Sequence, residues 1–132
     1  MTDERFEKLV AEALQRIPRR FREAMRNVVL VIEDEPSPEV LADCDIVPPD
    51  TLYGLYEGTP LTEREWGHVV EVPDRVTIFR NPIVEDADDE DDVFRAIGET
   101  VIHEFGHHFG LSEEEIDEAE ALWAEDFDDD AQ

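Results

Sequence analysis

Two histidines four residues apart constrain this chain more than any other feature. They lie in the stretch Thr100-Val101-Ile102-His103-Glu104-Phe105-Gly106-His107-His108-Phe109-Gly110. An α-helix turns once in 3.6 residues, so side chains at i and i+4 leave it on the same face. The preceding run keeps that spacing: Val93, Ile97 and Val101 recur at every fourth position, with Phe94 and Phe105 beside them. Asp88–Asp92 come just before, and acidic residues suit the positive end of a helix dipole. Gly110 then stops the pattern, as a glycine in a left-handed C-terminal position does. The stretch predicts a helix that ends near Gly110 and presents two imidazoles side by side.

Such a pair can give a tetrahedral zinc ion two nitrogens at about 2.0–2.1 Å. Glu104 sits between them and slightly around the helix, placed to take a proton from activated water rather than to bind the metal. Three residues beyond Gly110 stands Glu113, so His103, His107 and Glu113 spell HExxHxxGxxE. Three protein ligands with one position left for water is the pattern of a catalytic zinc site, not a closed structural one. The expectation is one Zn²⁺ per chain. Glu113 also opens the acidic run Glu113-Glu114-Glu115, and Asp117 is the alternative third carboxylate. His108 points about 100° away from His107, which suits a surface position or one behind the ligands. Other divalent metals also accept two imidazoles and a carboxylate.

With these residues in view, the chain resembles the small bacterial zincin-like metallopeptidases, the minimal zincins. The resemblance rests on Leu52–Arg64, on Pro73–Arg80 and on Thr100–Gly110. It implies an α+β fold with a short mixed sheet packed on an active-site helix, flanked by N- and C-terminal helices. It also implies peptidase activity, with a peptide or protein as substrate. Family members generally carry aspartate as the third ligand, in HExxHxxGxxD; here the position is Glu113, one methylene longer. Met1 and Met25 are the only methionines, so the Met-turn of the metzincin branch is missing.

The chain has 132 residues, a length for one domain, expected to span 1–132 with an acidic tail from about residue 126 that frays. Its formal net charge is −26, from 37 acidic and 11 basic residues. Such a chain repels nucleic-acid phosphates and anionic membrane surfaces, so neither is an expected partner. No apolar run approaches the roughly 20 residues of a membrane span. The charged start, Met1-Thr2-Asp3-Glu4-Arg5, does not read as a signal peptide, and Cys44 is the lone cysteine. Both observations favour a cytoplasmic location. From Glu85 onward there are 20 acidic residues and one basic residue, Arg95. Seven of the basic residues lie before Asn27, where they can compensate the acidic second half.

Taken in order, residues 3–17 read as an amphipathic helix, with Phe6, Leu9, Val10, Ala13, Leu14 and Ile17 on one face and Thr2 or Asp3 as cap. Pro18 ends it, and residues 19–26 suit a second short helix. Val28–Ile32 reads as a buried strand. Residues 38–44 suit one helical turn inside a long connection broken at Pro48-Pro49. Leu52–Gly58 reads as a strand in which Gly54 marks a close backbone approach or a bulge. By resemblance, this strand is also the edge on which an extended substrate would lie. Thr62 and Glu65 fit a capped turn, and Val69–Val72 a short strand. Arg75–Arg80 alternates polar and apolar residues, the pattern of a half-buried strand paired with its neighbours in a hairpin or meander, and Asn81-Pro82 closes it. Residues 85–92 read as an acidic loop. Ser112 and Glu115 form a capping box for a last helix whose apolar face is Ile116, Ala119, Leu122, Trp123 and Phe127.

The pattern thus predicts a zinc-dependent peptidase with Glu104 as general base. The competing reading from another class is a metal-binding interaction module that keeps the zincin fold with little turnover. Tyr53, Tyr56, His68 and His108 are the candidates for stabilising an oxyanion. The residues do not specify an oligomeric state.

Overall fold

A computed structural model describes residues 1–26, 28–58, 74–108 and 110–130, without the side chains of Arg20, Ala24, His108 and residues 124–130. Among these residues the fold is α+β, with six helices and one three-stranded mixed sheet. The helices are α1 (Asp3–Arg16), α2 (Arg19–Ala24), α3 (Pro38–Asp43), α4 (Arg80–Asp86), α5 (Glu90–His108) and α6 (Glu113–Asp130). The strands are β1 (Val28–Glu33), β2 (Gly54–Glu57) and β3 (Asp74–Phe79).

The first helix forms where the apolar spacing predicts it. Thr2 accepts the backbone N–H of Arg5 at 3.1 Å, satisfying one of the orphan donors at the helix start. Phe6, Leu9, Val10 and Ala13 are buried on one face. They meet Val93, Phe94, Ile97 and Val101 of α5 in one continuous core. Burying each of the larger side chains contributes roughly 1.5–3 kcal/mol. Ile17 leaves helical geometry just before Pro18, which favours an extended residue ahead of it. The basic N-terminal segment meets the acidic half at one point where Arg5 grips Glu90 at 2.6 Å.

The sheet departs from the sequence pattern in two places. The order is β1-β3-β2, so β3 lies in the middle, parallel to β1 and antiparallel to β2. A central strand has neighbours on both sides, and Val76, Thr77, Ile78 and Phe79 are all buried, against the expected half-buried alternation. The parallel partner also replaces the expected hairpin or meander on that side. Conversely, β1 is an edge and not the buried strand its apolar run suggests. Val28, Leu30 and Ile32 turn toward the core, while Val29 is 45% exposed. A strand has two faces, and here only one meets the helices. The expected turn at residues 59–65 and strand at 69–72 lie outside the described residues.

One helix escaped the pattern. Asn81-Pro82 is expected only to close the strand that ends at Arg80, yet Arg80–Asp86 forms α4, with Pro82 and Ile83 buried. Proline in a first turn is tolerated because its missing N–H would have no intrahelical partner there. The expected acidic loop shrinks accordingly, and α5 starts at Glu90. Asp89 Oδ1 accepts the N–H of Asp92 at 2.9 Å just ahead of it.

The last helix docks antiparallel on α5 through two notches. A Cβ on Gly98 would lie 2.2 Å from Cε2 of Trp123, and one on Gly106 would lie 2.7 Å from Cγ1 of Ile116. Trp123 also stacks on Phe94, with ring centroids 5.1 Å apart, and donates its indole N–H to the Arg95 carbonyl. The turn between the helices follows the sequence closely. Gly110 has a φ of 71°, and Ser112 and Glu115 exchange bonds of 3.1 and 3.2 Å in the predicted capping box. Ile116, Ala119 and Trp123 are buried as expected, but Leu122 is 49% exposed. Among the described residues, no helix is long and apolar enough to cross a membrane.

Candidate metal centre and its cleft

The antiparallel register of α5 and α6 sets the site. Passing along the pair, Glu113 lies by His107, Ile116 by Gly106, Glu120 by His103 and Trp123 by Gly98. Every rung above and below the histidines is therefore fixed by close packing.

His103 and His107 point as the four-residue spacing requires. Their Nε2 atoms are 3.0 Å apart and their rings meet edge to face, with centroids at 4.4 Å. Two nitrogens held at about 2.0–2.1 Å on a tetrahedral ion stand about 3.3 Å apart. The imidazole pair thus fits a shared metal with a small opening movement. Both side chains are half exposed, which leaves room for an ion.

Glu113 is brought to the same nitrogen. Its Oε1 lies 3.8 Å from His107 Nε2, and its side chain is 75% exposed. Asp117, the alternative, is exposed one turn further along α6. Among the described residues, no three His, Cys, Asp or Glu side chains are already gathered closely enough to hold a metal. The donor types suit zinc, with two imidazole nitrogens converging and the Glu113 carboxylate 3.8 Å from one of them.

Glu104 is held differently. It is half-buried between α5 and the start of β2. Burial pushes its carboxyl above the usual carboxylate range, and the neighbouring His103 and His107 pull it back in part. A carboxyl whose proton affinity is raised above that of a free carboxylate is a better general base.

The cleft beside these groups has a volume of about 320 Å³ and is lined by Thr51, Leu52, Tyr53, Gly54, Glu99, Thr100, His103, Glu104 and Glu120. One wall is α5 and the other is the start of β2. Gly54 makes that proximity possible. A Cβ there would lie 2.5 Å from Cγ2 of Thr100, 3.0 Å from the Thr77 carbonyl and 3.7 Å from Cγ of Glu104. This is the close approach the sequence suggested, and no bulge is needed. Among the described residues, no strand pairs with the outer side of β2.

The candidate oxyanion donors separate. Tyr53 lines the cleft and donates its hydroxyl to Asp86, which holds its proton above the usual tyrosine range. Tyr56 turns the other way. Its ring packs on Phe105 at 6.3 Å, and its hydroxyl donates to Asp74 at 2.8 Å. Burial, with that bond, pushes its ionisation upward too. His68 and the side chain of His108 lie outside the described residues.

Two further acidic residues, Glu99 and Glu120, line the site without a sequence motif to mark them. Glu99 lies one turn before His103, and its carboxyl is pushed up by burial and by Glu120. Glu120 Oε1 stands 3.3 Å from His103 Nδ1. A signal for Glu120 existed: it is seven residues, two turns, after Glu113, so both leave α6 on one face.

The family of zincin-like metallopeptidases matches the chain over residues 25–123. The chain belongs to that family. The matched span contains the sheet, the two histidines and α6 as far as Trp123. Among solved structures, a conserved hypothetical protein from T. thermophilus is similar, with a TM-score of 0.57 and 23% identity, covering 82% of this chain and 94% of that one. At that identity the likeness concerns the fold. No protein of curated function matches the chain.

Proposed function

We propose that the protein is a zinc-dependent peptidase that hydrolyses peptide bonds in the cleft between α5 and β2. The observation that carries this reading is the 3.0 Å convergence of His103 and His107 Nε2 beside a half-buried Glu104. His103, His107 and Glu113 would hold the ion. When bound, zinc supplies a Lewis acid for the scissile carbonyl and acidifies water beside it. Glu104 takes the proton from the attacking water and later passes it to the leaving amine nitrogen, so that cleavage of the C–N bond yields a carboxylate and an amine. The outer edge of β2, unpaired among the described residues, would offer backbone groups to an extended peptide, which would add as a further strand and bring its carbonyl toward α5.

The test is digestion of a broad peptide library with and without chelator, alongside zinc analysis of the parent and of Glu113→Ala. The expected result is about one zinc per chain, greatly weakened in Glu113→Ala, with turnover lost to chelator and restored by zinc. A full zinc in Glu113→Ala would move the third ligand to another carboxylate, Asp117 first. One zinc without turnover on any peptide would instead make the chain a metal-binding interaction module.

A further inference from the structure

We propose that Glu120 is a positioning residue for His103: its carboxylate accepts the Nδ1–H and thereby keeps the Nε2 lone pair turned toward the site. The inference rests on the reading of His103 as a metal ligand, but its main observable does not require a metal. Glu120 Oε1 is 3.3 Å from His103 Nδ1, on the side of the ring opposite the nitrogen that faces His107. An imidazole has one proton to place when neutral, and the partner of one nitrogen decides the state of the other. A carboxylate at Nδ1 draws the proton there and leaves Nε2 as an acceptor. The 3.0 Å contact between the two Nε2 atoms needs one donor and one acceptor, and in this arrangement His107 is the donor.

The packing gives Glu120 a defined position. Its side chain is 31% exposed, whereas that of Glu113 is 75% exposed. It lies one turn from both Ile116 and Trp123, which are locked against Gly106 and Gly98. The same helix face therefore carries two different tools. Glu113 reaches the metal-facing nitrogen of one histidine, and Glu120 the far nitrogen of the other. A carboxylate behind a ligating histidine orients the ring and raises its basicity, and losing it typically weakens metal binding about 10–100-fold.

The experiment uses the full chain, ¹⁵N-labelled, as parent, Glu120→Ala, Glu120→Gln and the exposed control Glu118→Ala. Long-range ¹⁵N–¹H spectra of the metal-free protein at pH 8 read the tautomer of His103. The proposal expects Nδ1–H in the parent, a shift toward Nε2–H in Glu120→Ala, and retention of much of the parental signature in Glu120→Gln, whose amide oxygen still accepts. Zinc competition titrations should show affinity about 10–100-fold weaker for Glu120→Ala, an intermediate loss for Glu120→Gln and no change for Glu118→Ala. An Nε2–H tautomer in the parent overturns the proposal, as does a Glu120→Ala protein with unchanged tautomer and zinc affinity. If the parent binds no zinc, the zinc reading of the site fails, while the tautomer still decides the role of Glu120.

Discussion

The two flanks of α5, one against α6 and one against β2, use glycine for opposite ends. On the α6 side, Gly98 and Gly106 admit Trp123 and Ile116, and the helices close until nothing but protein lies between them. On the β2 side, Gly54 lets the strand touch Thr100, yet the outer edge of that strand stays unpaired among the described residues. Among the described residues, one flank is closed by packing and the other is left unpaired. A small fold thus divides its labour: the closed flank of α5 orients protein groups, and the β2 flank leaves backbone groups unpaired among the described residues.

Breaking the chemistry that α5 carries should have the largest effect. Replacing Glu104 by Ala is expected to lower turnover about 10²–10⁴-fold, with zinc retained; metal analysis beside a peptide assay checks both halves. Breaking the closed flank comes next. Trp123→Ala removes a fully buried side chain and should lower the unfolding free energy by about 3–5 kcal/mol in urea titrations. A smaller effect is expected at the β2 flank. Gly54→Ala places a methyl 2.5 Å from Thr100 and should cost about 1–3 kcal/mol of stability. The same methyl meets Cγ of Glu104 only in ordinary contact at 3.7 Å, so turnover measured well below the unfolding midpoint should fall less than in Glu104→Ala.

A pH experiment sharpens the contrast. Glu99 holds its proton more tightly in the folded protein than in the unfolded chain, through burial and the charge of Glu120. The native state therefore binds more protons in that window, and stability falls as pH rises through the ordinary carboxylate range toward the raised folded value. Glu99→Gln should be more stable than the parent at neutral pH, with the difference shrinking toward acid, as followed by thermal unfolding. The smallest effect is expected on the outer face of α6. Leu122→Ala should stay within about 0.5 kcal/mol of the parent, because the side chain is half exposed already.

The sequence was most legible where its signals were local. The four-residue histidine spacing, the Gly110 stop and the Ser112–Glu115 box depend only on neighbours within a turn or two, and each appears as expected. The sheet was less legible, since a strand's burial depends on its rank. Val28–Ile32 and Arg75–Phe79 exchange the expected degrees of burial because the second is central and the first an edge. The helix at Arg80–Asp86 was hidden by Pro82, whose usual reading as a breaker fails in a first turn. Glu120 was hidden by abundance: among so many carboxylates, only the register of α6 on α5 distinguishes the one that meets His103.

The turn at Gly110 has a consequence for the order in which the native state is assembled. It brings together groups that are near in the chain: His103 and Glu120 are 17 residues apart, and Trp123 and Arg95 are 28 apart. The parallel side of the sheet joins distant parts, as the Arg80–Asp34 pair spans 46 residues. Closing a shorter loop costs less entropy, and local contacts form sooner. The helical hairpin that carries both histidines can therefore nucleate early, with the sheet edge added to it afterwards. In pulsed hydrogen exchange, amides of the hairpin should gain protection ahead of those in β1.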